Sequence, residues 1–528
     1  TYKEKIESNE NEKTAHTFFL VGDAGNEVFK DSLNSSYALR NILNNATKNS
    51  TLLYLGDNIY PAGMPSDNDV NRNDAEKKLQ EQIDIGKSFK GKTIFIPGNH
   101  DWYSNGNEGL KRQQDFVENQ LGKKSFLPKN GCPLESIEIT NDISLIIVDS
   151  QWYITNWDNH PTINENCEIK TRNHFLEEFR SEIKKARGKT TIVAIHHPLF
   201  TNGPHGGKYS FKSYISPFPI LGSLKNLLRK TTGISNADIQ NTHYNELIKY
   251  LTAAAQQNEN VIFVSGHDHS LQYTIKNDIP QIVSGSGSKK EPVKISNGGI
   301  YAHAANGYAI LDVFENGASQ VKFINTSNNK IEFQTTVIKP NQKVNNQILT
   351  QKFPDSIQKS IYSVKETSKS KLYNFLWGNR YRKYYSMPIT AKVASLDTLL
   401  GGLTPIRKGG GTQSRTLRLK AKDGKQYVMR ALKKEAVQYI QASLFKKQFV
   451  QKQFKNTASE DLVQDVFTGA YPYAPFVVEN LSEAINIKKL NSKLYYIPKQ
   501  DVLAQFNDEF GDELYLFEEH ASDGNLTL

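Results

Sequence analysis

The sequence predicts a layered α/β core followed by a smaller mixed α+β unit. Over roughly the first 340 residues, short β-branched and aromatic runs that end in glycine or polar residues alternate with amphipathic stretches. Beyond that point the rhythm breaks. The charge is also divided unevenly: of 65 basic and 55 acidic side chains in 528 residues, residues 1–350 hold 38 and 37, and residues 351–528 hold 27 and 18. The last 28 residues hold eight acidic and no basic side chains, so the net +10 concentrates on roughly 350–500. A composition shift of this kind marks a domain boundary.

Residues 1–15 are charged and Asn-rich and read as a flexible tail. Seven strand candidates follow: His16–Val21, Thr51–Leu55, Thr93–Ile96, Leu145–Val148, Thr190–Ile195, Val261–Ser265 and Gln281–Ser284. Their continuous apolar character suits sheets covered on both faces. Asn73–Phe89 and Asn173–Ala186 have helical spacing, and Tyr308–Phe314, Asn316-Gly317 and Gln320–Ile324 read as a hairpin. The first domain is expected over 16–338, a Lys- and Ser-rich linker with helical character over 339–383, and a basic accessory α+β domain over 384–528. Within the last, the turn Gly409-Gly410-Gly411 precedes a second hairpin, Arg415–Lys420 with Gln426–Leu432 across Asp423-Gly424.

A composition of 23% charged and 38% hydrophobic residues excludes global disorder and fibrous repeats. The longest apolar runs are about five residues, far short of the roughly 18 a membrane-spanning helix needs. Cys132 and Cys167 are too far apart for a metal pair. They are either a disulfide closing a loop of about 36 residues, worth about 4 kcal/mol, or two buried thiols. A chain that opens at Thr1 is expected to be a processed or trimmed piece whose signal peptide, if any, is gone.

Five polar clusters directly follow predicted strands, where layered α/β folds place their sites. They are Gly22-Asp23-Ala24-Gly25, Gly56-Asp57-Asn58-Ile59-Tyr60, Gly98-Asn99-His100-Asp101, Val193-Ala194-Ile195-His196 and Gly266-His267-Asp268-His269. Carboxylates, imidazoles, an amide and a phenol supply the mixed oxygen and nitrogen donors of borderline and hard transition metals. Six of the twelve histidines (100, 196, 197, 205, 267 and 269) fall in or near these clusters. One three-residue pattern arises by chance roughly 0.07 times in a chain this long, and four in one order about once in a million sequences.

The ordered set GDxG, GDxxY, GNH, VxxH and GHxH resembles that of the purple acid phosphatases, within the calcineurin-like metallophosphoesterases. Gly266 to Tyr273 is similar to the GHDHNLQY of the small tartrate-resistant type, and Val283-Ser284-Gly285-Ser286-Gly287 to its later SGAG turn, with Ser286 in place of Ala. The resemblance covers about 16–338. It implies a four-layer αββα sandwich and a binuclear centre. Asp57 would bridge the metals, Asp23, Tyr60 and His269 would complete an Fe(III) site, and Asn99, His196 and His267 a divalent site for Fe, Zn or Mn. Independently of the resemblance, a phenol of pKa near 10 ligates only beside a strongly polarising cation, which argues against two divalent metals.

The implied reaction is direct attack of metal-bound hydroxide on a small phosphomonoester or phosphoprotein. His100 and His205 match histidines that contact phosphate or protonate the leaving group, and Asp101 is expected to orient His100. His197 is expected to be strand-end packing, and Asp149 to lie outside the site.

Residues 351–528 fall outside the match. Arg380, Arg382 and Lys383 among Tyr381, Tyr384 and Tyr385 form an aromatic–basic mix found on nucleic-acid and anionic-lipid surfaces. Gly409–Gly411 with Lys433 is faintly similar to a kinase N-lobe, but no HRD- or DFG-like sequence follows. This half resembles the middle segment of bacterial proteins that place a metallophosphoesterase ahead of an outer-membrane barrel. That implies a secreted, periplasmic or cell-surface location, associated with the outer membrane, with the basic domain docking on a membrane or outer-membrane protein. A nucleic-acid partner is disfavoured, because the phosphatase-like half is neutral. The rival readings are a docking module with a phosphatase-like core of low turnover, and a phosphodiesterase with two divalent metals.

Overall fold

A computed structural model describes residues 12–26, 35–206, 237–296, 298–340, 352–409, 411, 413–477 and 492–520. The chain divides into two units, Thr1–Pro340 and Asn341–Leu528.

In the first unit, strands β1 (Thr14–Val21), β2 (Ser50–Tyr54) and β3 (Lys92–Phe95) run parallel. Strands β4 (Leu134–Thr140), β5 (Ile143–Val148), β6 (Thr190–Ile195), β7 (Val261–Ser265), β8 (Leu271–Lys276), β9 (Ile279–Ser284), β10 (Gly299–His303), β11 (Gly307–Phe314), β12 (Ser319–Asn325) and β13 (Lys330–Ile338) follow. Two sheets result, ordered β13-β12-β11-β1-β2-β3 and β10-β8-β9-β7-β6-β5-β4. The expected hairpin is β11 with β12, paired antiparallel. The main helices are α1 (Ser35–Leu43), α2 (Arg72–Ser88), α3 (Asn107–Leu121), α4 (Ser150–Ile154), α5 (Arg172–Lys185) and α6 (Thr242–Ala255).

Successive strand residues point to opposite faces, and this alternation builds the layers. Phe18, Leu20, Leu53, Leu55, Ile94 and Ile96 meet Leu145, Ile147, Ile192, Ala194, Ile262 and Val264 in one buried cluster between the sheets. The intervening Phe19, Val21, Leu52, Tyr54 and Phe95 pack with Leu79 and Ile83 of α2 and Leu110 and Val117 of α3. Ile146, Val148, Val193 and Ile195 do the same with Phe175 and Phe179 of α5 and Leu247 and Leu251 of α6. The unit is therefore an αββα sandwich. Truncating a central residue such as Leu53 to Ala should cost about 2–5 kcal/mol.

Cys132 and Cys167 form a disulfide, the first of the two alternatives. β1 begins at Thr14, paired with Phe314, so the expected tail ends earlier than residue 15; residues 1–11 lie outside the described set.

The second unit holds one seven-stranded sheet, ordered β14-β15-β19-β20-β18-β17-β16. Its strands are β14 (Ser356–Lys359), β15 (Ile389–Val393), β16 (Leu403–Lys408), β17 (Ser414–Ala421), β18 (Gln426–Lys434), β19 (Lys493–Ile497) and β20 (Glu513–Glu519). β17 and β18 are the second expected hairpin; Gly410 of the glycine turn lies outside the described residues. Helices α7 (Val364–Thr367), α8 (Lys371–Trp377), α9 (Arg382–Ser386), α10 (Ala436–Ser443), α11 (Gln451–Phe454) and α12 (Ala458–Val466) accompany the sheet. The stretch 339–383 is not a linker throughout: β14 pairs antiparallel with β15 and so belongs to this sheet. Its polar composition hid a short edge strand, which needs few apolar residues. Lys433 forms an ion pair with Glu366 at 3.0 Å.

Candidate metal centre

Every motif loop leaves the C-terminal end of a parallel strand: Asp23 follows β1, Asp57 and Tyr60 follow β2, and Asn99 and His100 follow β3. His196 follows β6, and His267 and His269 follow β7. Asp23, Asp57 and His267 have φ of 58°, 54° and 71°, left-handed values that non-glycine residues adopt at a cost of about 1–3 kcal/mol each. The motif glycines make room for ligands of neighbouring loops. A Cβ on Gly98 would sit 2.3 Å from Asp57 Oδ1, and one on Gly266 2.6 Å from Asp23 Oδ2.

The donor atoms converge in two groups that share Asp57. In the first, the Tyr60 hydroxyl lies 2.9 Å from Asp23 Oδ1, 2.8 Å from Asp57 Oδ2 and 3.1 Å from His269 Nε2. In the second, Asn99 Oδ1 lies 3.1 Å from His196 Nε2 and 3.0 Å from His267 Nδ1, and His196 Nε2 lies 3.4 Å from Asp57 Oδ1. Asp23 Oδ2 accepts from the His267 backbone N–H at 2.8 Å, which leaves Oδ1 to the first group.

The imidazoles are held with one nitrogen donating away from the cluster. His196 Nδ1 donates to Leu55 O at 2.7 Å, and His267 Nε2 to Ala237 O at 2.8 Å. His269 Nδ1 lies 3.3 Å from Glu291 Oε2. Asn99 Nδ2 donates to the Tyr103 hydroxyl at 2.8 Å, which turns Oδ1 inward. These bonds fix which nitrogen of each ring faces the carboxylate and amide oxygens of the cluster.

The electrostatics agree. Burial raises the Tyr60 phenol well above its ordinary value, and the charges of Asp23 and Asp57 raise it further. Burial lowers His196, but the Asp57 charge outweighs it and lifts the imidazole to about 9. Lone pairs and carboxylates packed at 2.8–3.4 Å need cations among them, so the residues fit a metal pair. Asp23, Asp57 and His196 alone bring three donor atoms within 4.8 Å of one another.

His100 donates its backbone N–H to Asp57 Oδ1 at 2.9 Å and its Nδ1–H to Pro61 O at 2.6 Å, with its ring 4.3 Å from that of Tyr60. The role expected for Asp101 is corrected. Its carboxylate accepts from the backbone N–H of Gly98 at 2.7 Å and of Asn58 at 3.1 Å, and so clamps the second and third motif loops together. The tight 3₁₀ turn His100–Trp102 sends adjacent side chains different ways. The ring of His205 lies 4.1 Å from that of His267, tilted by 34°. His197 is buried with Nδ1 2.7 Å from Ser150 Oγ, and Asp149 caps α4 through the Trp152 backbone N–H.

Four neighbours were not anticipated. Asp238 Oδ1 lies 3.1 Å from His205 Nδ1, and Asp268 Oδ1 accepts the His205 backbone N–H at 3.3 Å. Glu291 faces His269, and the Lys289 ammonium sits 3.3 Å over the Tyr60 ring. Asp268 lies inside a motif and Lys289 and Glu291 just after the Ser284–Gly287 turn, so position pointed to these three; nothing in the sequence marks Asp238.

Residues 16–271, within the first unit, match the family model of the calcineurin-like phosphoesterases. No curated protein sequence matches the chain. Among solved structures, it is similar to GAP50, the anchor in the inner membrane complex of Plasmodium, at 16% identity over 62% of this chain and 90% of that one, with a TM-score of 0.39. It is also similar to a purple acid phosphatase from yellow lupin seeds, at 15% identity over 61% of this chain, with a TM-score of 0.40; the match spans 54% of the lupin chain.

Proposed function

We propose that the first unit hydrolyses phosphomonoesters, with Fe(III) held by Asp23, Asp57, Tyr60 and His269 and a divalent Fe, Zn or Mn held by Asp57, Asn99, His196 and His267. The observation that carries this reading is the Tyr60 hydroxyl, within 3.1 Å of two carboxylates and an imidazole. A buried phenol in that company loses its proton only to a highly charged cation. When bound, such a pair lowers the pKa of a water and neutralises phosphoryl oxygens.

The chain's own side chains supply the rest. His100, partly exposed beside Tyr60, can bind a phosphoryl oxygen. Burial lowers the His205 imidazole, but Asp238 and Asp268 outweigh this and raise it above its ordinary value. It can therefore keep a proton at Nε2 for the departing alkoxide while Nδ1–H stays on Asp238. Asp101 and Asp238 are positioning residues. The Cys132–Cys167 disulfide supports a secreted or cell-surface location.

The test is elemental analysis with the visible spectrum of the purified protein. Iron and a tyrosinate-to-iron band that disappears in Tyr60→Phe are expected. A colourless, iron-free and active protein overturns the assignment.

A further inference from the structure

Helix α8 of the second unit is built inside out. Its polar side chains face the body of the unit: Tyr373 Oη donates to Asp465 Oδ2 at 3.1 Å, and Asn374 Oδ1 accepts from Arg382 Nη1 at 2.8 Å. Arg382 and Asp465 in turn form a buried two-pronged ion pair at 2.6 and 2.8 Å. The apolar side chains face solvent. Leu372, Phe375 and Leu376, at i, i+3 and i+4 on one face, are 68%, 84% and 60% exposed, and Trp377 at the end is 53% exposed. Scattered exposed hydrophobes are ordinary, but four large ones on one short helix are a patch.

The surroundings of the patch say what covers it. Val364–Met387 holds six basic residues and one acidic residue. Among the described residues, Lys365, Lys371 and Lys383 pair with no carboxylate. Tyr381 and Tyr384 are exposed and meet Tyr471 edge-on at 5.7 and 5.2 Å. Unpaired cations and amphipathic aromatic rings on the segments that flank an apolar wedge in sequence match the headgroup layer of an anionic bilayer, where apolar side chains reach the acyl boundary and ammonium groups stay among phosphates. A protein pocket would account for the Leu and Phe side chains but not for three unpaired lysines. Seven residues are far too few to span a bilayer.

We propose that the outward face of α8 is a membrane-interface site, which seats Leu372, Phe375, Leu376 and Trp377 in an anionic lipid surface with the flanking lysines on its headgroups. The wedge provides depth and the lysines provide selectivity. Three lysines near such a surface strengthen binding roughly a hundredfold at low salt, and screening removes the gain within a Debye length.

The experiment is vesicle co-sedimentation and tryptophan emission of the full 528-residue chain. Binding to vesicles of phosphatidylcholine mixed with phosphatidylglycerol is expected, with little binding to phosphatidylcholine alone. A blue-shifted emission that Trp377→Phe abolishes should accompany it. The double variant Phe375→Ser/Leu376→Ser changes only solvent-facing side chains, so it should keep its circular dichroism and melting temperature while partitioning at least about tenfold less. Lys371→Gln/Lys383→Gln should lose the preference for anionic vesicles. Equal binding by the wild type and the serine variant, no preference for the anionic lipid, or a wild-type dimer that the serine variant dissolves would each overturn the proposal.

Discussion

Of the aspartates buried at strand ends of the first unit, four are held in two opposite ways. Asp23 and Asp57 face a phenol and imidazoles. Asp101 and Asp149 face N–H donors: Gly98 and Asn58 for the first, the Trp102 indole at 2.9 Å and the Trp152 backbone at 3.1 Å for the second. Burial pushes Asp57, Asp101 and Asp149 upward. On Asp57 the charges of His196 and His100 outweigh burial and hold the carboxyl well below its ordinary range. Asp101, under burial and then the Asp57 charge, and Asp149, under burial, rise to about 7. Burial therefore does not distinguish a ligand from a clamp; the partners do.

The largest effect should come from the shared carboxylate. Asp57→Asn removes the one group that reaches both donor sets, so it should lower kcat/KM by at least about 10⁴-fold and leave both metals bound below stoichiometry. Elemental analysis beside steady-state kinetics on a phosphomonoester reads both. A variant that keeps both metals and near-normal activity would erase the distinction between the two pairs.

Strand positions and the strand-end cluster were legible because apolar runs that end in Gly-Asp, Gly-Asn or Gly-His state both the sheet and the place where it stops. The glycines explain their own presence, since Gly98 and Gly266 leave the space that Asp57 and Asp23 occupy. Asp101 was misread because adjacency in sequence is not adjacency in space. Asp238 could not be found, because it reaches His205 from 33 positions away and outside any motif. The disulfide was open for a similar reason: residues 35 apart carry no geometric constraint until the chain is folded. The edge strand β14 was missed because it pairs through backbone atoms that polar residues supply equally well.

Asp238 stands between the two classes, since its carboxylate faces an imidazole that we propose meets substrate rather than metal. His205→Ala should slow alkyl phosphates about 10²-fold and p-nitrophenyl phosphate much less, because only the poor leaving group needs a proton. Asp238→Asn keeps an acceptor for Nδ1–H but removes the charge. It should show the same leaving-group pattern at about tenfold, and no further loss in the His205→Ala background. Equal losses on both substrates would remove His205 from the acid role and Asp238 with it.

The smallest effect tests the clamp side. The Asp149 carboxyl rises from an ordinary 3.8 to about 7 in the folded chain. The folded chain thus holds a proton that the unfolded chain releases between those values. The associated stability is fully present below about pH 4 and is lost as pH rises through about 7. Asp149→Asn stays neutral at every pH and keeps one acceptor oxygen for the two donors from Trp102 and Trp152, so it loses a hydrogen bond and the pH dependence together. Urea midpoints should place the variant below the wild type by on the order of 1 kcal/mol at pH 5, with the gap narrowing by pH 8. Parallel midpoints across that range would mean that Asp149 is ionised in the fold. It would then share the character of Asp57, and N–H partners alone would not separate a clamp from a ligand.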